Sequence, residues 1–163
     1  MAIVFDAANG GTVNGASLTV AITVGSGSNR VLAAAAHSAD STFTATYAGS
    51  AFDEELYDGT PGTPFQFIAV YFETAPTSGA NNMVFTPSVS GAIAGGGISF
   101  TGVDQATPHD TIDVATGTSA TPSNATASAI DDMVVDFSAQ NQGTNSTPTG
   151  TGHVERVDSA NGD

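Results

Sequence analysis

Residues 17–24 read SLTVAITV. Leu18, Val20, Ile22 and Val24 fall on one side of an extended chain, and Ser17, Thr19, Ala21 and Thr23 on the other, which is the two-residue period of a half-buried β-strand. GSGSN, 25–29, follows as a flexible turn. RVLAAAAHS, 30–38, has the alanine content of a helix, but it is short, carries no helical stripe and lies between turn signals. It reads as a buried strand with small side chains.

The same logic extends along the chain. TFTATYAG, 42–49, sets Phe43, Ala45 and Tyr47 against Thr42, Thr44 and Thr46, a second one-sided strand. FDEELYDGTPGTP, 52–64, reads as an acidic loop with at most a short helical turn. FQFIAVYFET, 65–74, is apolar on both faces, with Phe65, Phe67 and Tyr71 opposed to Ile68, Val70 and Phe72, as in a central strand covered from both sides. APTSGAN, 75–81, is turn chemistry, and NMVFTPS, 82–88, a short strand ended by Pro87. AIAGGGISFTGV, 92–103, is a strand whose three glycines predict a bulge or a close backbone approach.

TIDVATGTS, 111–119, and DDMVVDFSAQ, 131–140, predict two further strands, the second with Met133, Val135 and Phe137 inward and Asp132, Asp136 and Ser138 outward. GHVERVDS, 152–159, opens a last hairpin arm, after the low-complexity loop NQGTNSTPTGTG at 141–152. About nine or ten short strands and no helix predict an all-β fold, an antiparallel β-sandwich or jelly roll. A single domain spans residues 1–163, long enough to bury roughly 70% of the surface of the unfolded chain.

Charge excludes several partners. Sixteen acidic residues face two basic ones, Arg30 and Arg156, for a formal net charge of −14. Nucleic-acid binding needs cations that displace condensed counterions, and an anionic lipid leaflet repels such a surface equally. Neither nucleic acid nor membrane is an expected partner. Without cysteine there is no disulfide framework, thiolate metal site or cysteine nucleophile. MAIVFDAANGG lacks the basic and apolar regions of a secretory signal, so synthesis in the cytoplasm is expected.

SLTVAITVGSGSNRVLAAAA, YAGSAF, IAVYFETAPTSGANNMVF, AGGGISFTGVDQATP and DDMVVDF together resemble a β-sandwich domain that recurs in phage virion proteins and bacterial extracellular proteins. SFTGVDQATP is the most specific piece, and the resemblance covers nearly the whole chain. It implies sandwich folding and surface display, and it brings no catalytic residues. The family pattern continues past ERVDSANGD with another strand or two, so the resemblance implies a truncated chain or a variant completed by a neighbouring subunit.

Two places carry candidate chemistry. Asp104, His109 and Asp110 bring an imidazole and carboxylates together, a pairing used in catalysis and metal binding. No nucleophile-elbow or zinc motif accompanies them, and Asp104 reads as the cap of a turn stiffened by Pro108. Asp53, Glu54, Glu55 and Asp58 form the densest anionic cluster. Calcium favours oxygen ligands on flexible loops, which makes Ca²⁺ the one cofactor to test, but the spacing matches no calcium-loop template and a solvated acidic loop is the preferred reading. Glycan binding would need exposed aromatics; the chain has no Trp and three Tyr, of which Tyr57 beside the acidic loop is the candidate ligand contact.

The leading functional expectation is a non-enzymatic virion protein, a decoration or cement protein on the outer surface of a phage head. Its partners would be the major capsid protein or other virion proteins and further copies of itself, a trimer being one arrangement. The alternative is a receptor- or glycan-binding module of a phage tail or fibre, or of an extracellular bacterial surface protein. A hydrolase built on Asp104, His109 and Asp110 ranks last.

Overall fold

In the computed structural model, residues 18–24 alternate strictly between buried and exposed, the pattern their sequence predicts. The structure describes residues 2–39, 42–59, 67–110, 112–115, 125–139 and 154–157. Nine strands and no helix occur among them: β1 (Val4–Gly15), β2 (Leu18–Val24), β3 (Val31–Ser38), β4 (Phe43–Tyr47), β5 (Ser50–Ala51), β6 (Glu54–Gly59), β7 (Phe67–Thr74), β8 (Gly79–Pro87) and β9 (Gly91–Thr101). They form two antiparallel sheets, one ordered β1-β9-β3-β7-β6 and the other β2-β8-β4-β5. The chain is therefore all-β, as expected, with the two-sheet arrangement of a β-sandwich.

The main core lies between the sheets. Leu18, Val20, Ile22 and Val24 of β2, Phe43 and Tyr47 of β4, and Met83 and Phe85 of β8 cluster with Leu32, Ala34 and Ala36 of β3, Tyr71 of β7 and Ile93 of β9. The rings of Tyr47, Phe52, Tyr71 and Phe85 form a relay with centroid spacings of 6.3, 5.5 and 6.4 Å that crosses from one sheet to the other. A second cluster covers the reverse face of the five-stranded sheet: Val31, Ala33, Phe72, Phe100 and Val103, with Phe5, Leu56, Ile98 and Phe137 packed against it.

β3, with Leu32 and Ala34 fully buried on one face and Val31 and Ala33 on the other, occupies the centre of its sheet. β7, expected as a central strand covered from both sides, is an interior strand with Tyr71 in one cluster and Phe72 in the other, one place nearer the edge than β3; Phe65 falls outside the described residues. Small side chains suit β3 to the centre. Ala34, Ala35 and Ala36 pair with Gly97, Gly96 and Gly95, which in turn pair with Asn9, Gly10 and Gly11 of β1. A Cβ on Gly97 would lie 2.6 Å from Met83 Sδ, so the missing side chain leaves the notch into which Met83 packs from the opposite sheet.

Three stretches of the chain differ from what the sequence predicts or leaves open. The acidic loop contains strand β6, whose alternation is broken by a register shift between Glu55 and Tyr57. Its charges suit an edge strand, where they discourage pairing with other chains. β1 lies in a stretch without a clear apolar alternation; it is rich in Gly and Asn and shifts register between Phe5 and Ala7. Conversely, residues 112–115, 131–139 and 154–157 form no strand. Met133 and Val135 are exposed rather than inward, and of the three apolar residues expected to point inward Phe137 joins the second cluster. The rest of 111–119 and 152–159, and residue 140, lie outside the described residues.

Asp6, at the β1 bulge, joins the layers. Its carboxylate accepts hydrogen bonds from Gly25 N–H (2.8 Å) at the end of β2 and from Ser99 Oγ (2.8 Å) on β9, while Asn9 Nδ2 donates to Ala21 O (2.7 Å). On the opposite side, between the β4–β5 hairpin and β6, a cavity of about 180 Å³ is lined by Thr44, Ala45, Ala51, Phe52, Glu55 and Tyr71.

Candidate functional site

The acidic cluster and the His109 loop meet at the edge formed by β6 and β7. β6 places Glu54 opposite Phe72 and Glu55 opposite Tyr71. The loop after β9 leaves the sheet at Gly102, whose φ of +79° puts it in the left-handed region that glycine tolerates. Gly102 N–H donates to Ser28 O and Val103 N–H to Asn29 O. Val103 then packs into the second cluster, and Asp104 Oδ1 accepts from Ala106 N–H at 2.8 Å, a side-chain-capped turn.

Beyond Pro108 the loop reaches the sheet edge. His109 Nε2 lies 2.8 Å from Glu54 Oε2, and His109 Nδ1 lies 3.0 Å from the Asp110 carbonyl oxygen. Both partners accept, so imidazolium, with a proton on each nitrogen, satisfies both contacts at once. The ring stands edge-on to Phe72, centroids 4.8 Å apart. The hydrogen bond to Asp110 and the proximity of Glu54 raise the His109 pKa above its ordinary value, against a smaller opposing effect of burial.

Of the four candidate calcium ligands, the three whose side chains are described, Asp53, Glu54 and Glu55, turn to different surroundings. Asp53 and Glu73 form a reciprocal clamp: Asp53 N–H donates to Glu73 Oε2 and Thr74 N–H to Asp53 Oδ2, each at 2.9 Å. Burial and the nearby Asp53 carboxylate raise the Glu73 pKa. Glu54 is engaged with His109, Glu55 borders the cavity, and the side chain of Asp58 lies outside the described residues. Among the described residues no group of three or more His, Asp or Glu side chains is placed to hold a metal ion. Tyr57 is half-buried, and its ring lies beside Gly59, where an added Cβ would come within 2.7 Å of the hydroxyl.

Of the Asp104, His109 and Asp110 grouping, His109 and Asp110 are linked through a backbone carbonyl, and Asp104 caps its own turn as its sequence predicts. The carboxylate that pairs with the imidazole is Glu54, 55 positions away in sequence. No local signal announces that pairing, nor the Asp53–Glu73 clamp, because both depend on the register of β6 against β7. The two cations are likewise engaged. Arg30 donates to Pro76 O and Gly27 O, and the Arg156 guanidinium sits 3.9 Å over the Phe5 ring. No helix among the described residues is long and apolar enough to cross a membrane. No protein-family model matches the chain, and neither the curated proteins nor the solved structures contain a match to it.

Proposed function

We propose that the protein is a non-enzymatic structural component of a virion, a decoration protein seated on the outside of a phage head. The observation that carries this reading is the use made of its charged side chains. Asp6 ties the two sheets, Arg30 holds turns, Asp53 and Glu73 clamp the ends of neighbouring strands, and Glu54 fastens a loop through His109. Each serves rigidity. A net charge of −14 favours an outer position, away from packaged DNA, and the resemblance to displayed phage domains supports the same placement.

The mechanism is mass action. A subunit that binds the assembled shell and not its dissociated parts stabilises the shell by the free energy of that binding. Major capsid protein is the proposed partner, with copies of this chain meeting one another around symmetry axes. Quantitative protein analysis of purified particles tests the proposal: many copies per head, and heads that dissociate more readily once the chain is removed, are expected. A few copies at a tail or vertex would favour the receptor- or glycan-binding alternative, and absence from particles would overturn both.

A further inference from the structure

We propose that residues 102–110 form a proton-operated strap, with the His109–Glu54 pair as its latch, that holds edge strand β6 and covers the second apolar cluster. The proposal concerns the isolated chain and stands whether or not the protein belongs to a virion. Its basis is the path of the loop. The strap starts at the end of β9, is fixed there by the Gly102 and Val103 hydrogen bonds to Ser28 and Asn29, and finishes on β6, with β3 and β7 lying between these strands in the sheet. Val103 fills the near end of the cluster beside Val31 and Phe100, and His109 sits against Phe72 at the far end.

The fastening differs at the two ends. The near end is held by backbone hydrogen bonds and a Val103 side chain that is 6% exposed. At the far end, the contact to another strand is made by a His109 side chain 30% exposed and a Glu54 side chain 51% exposed. β6 pairs with β7 on one side and forms the edge of its sheet, so a contact from above adds to its attachment. The groups facing the imidazole are Glu54 from β6, the uncharged Phe72 ring from β7, and Asp110 from the strap itself. Both acidic groups favour the imidazolium form.

The direction follows from linkage. The folded-state pKa of His109 is raised, so the latch contributes fully below the unfolded value of 6.5 and is lost as pH rises through the folded value. His37 works in the opposite direction, because burial lowers its pKa and its contribution grows as pH rises. A comparison with Glu54→Gln cancels the His37 effect, since His37 is unchanged in both proteins.

Hydrogen exchange, corrected for the intrinsic pH dependence of amide exchange, provides the test. Between about pH 5.5 and about pH 8.5, protection of residues 54–59 and 103–110 in the native chain should fall several-fold, because the latch is lost as the imidazolium loses its proton. Glu54→Gln should show the lower protection at both pH values, and its His109 should titrate at lower pH by NMR. Protection that does not change with pH, or a His109 titration unaffected by Glu54→Gln, would overturn the strap.

Discussion

Phe85→Ala should lower the unfolding free energy by about 3–5 kcal/mol, the range for truncating a fully buried aromatic. Phe85 has no exposed surface and stands in the four-stranded sheet, pairing in register with Leu18 and Ala45 on either side. Its ring meets Tyr71 of the opposite sheet at 6.4 Å, so truncation opens a void at the junction of the layers. A loss of that size is a large fraction of the ~5–15 kcal/mol that holds an ordinary domain folded. Urea titration should show a much lower midpoint at an unchanged slope. Phe85→Leu, which retains most of the volume, should lose about 1 kcal/mol. Equal losses for the two variants would mean that the void is not the cause.

Gly96→Val should cost about 3 kcal/mol, at the upper end of the usual range for overpacking. A Cβ at this position would lie 2.6 Å from Asn9 O and 2.9 Å from Gly10 Cα, and these are backbone atoms of β1 that cannot rotate away. The strand must therefore move, which strains the β1–β9 ladder and the Asp6 bond to Ser99. Gly91→Ala is the control, because nothing lies within 4 Å of a Cβ there. It should fall within about 0.5 kcal/mol of the native chain. The same urea titration separates the two, and a Gly96→Val midpoint equal to that of Gly91→Ala would show that β1 does not approach β9 so closely.

These two positions also indicate what the sequence makes legible. Where one face is buried and the other wet, as in β2 and β4, a period of two identifies the strand directly. Burial on both faces is legible in β3 from alanine between turn signals, and close approach in β9 from three consecutive glycines. β1 and β6 are concealed by a common cause: each carries a bulge, which shifts the phase of alternation midway. Alternation at 131–137 misleads in the other direction, because a pattern suited to pairing does not supply a neighbouring strand.

The site is less legible than the fold. Asp104, His109 and Asp110 are adjacent in sequence, yet the interaction that matters joins His109 to Glu54 on another strand. Asp53 and Glu54 are neighbours whose side chains serve different partners, Thr74 and His109. Composition predicts a solvated acidic loop at these residues, with Ca²⁺ as the one cofactor to test, whereas register distributes them between a clamp and a latch.

Residue-resolved amide exchange on the native chain tests the two-sheet architecture most directly, since slow exchange marks backbone held in a ladder on both sides. Leu32–Ala36, between β7 and β9, should exchange slowest, with residues 133–137 far faster. Protection of 133–137 equal to that of β3 would place a further strand inside the sheets and contradict the arrangement described.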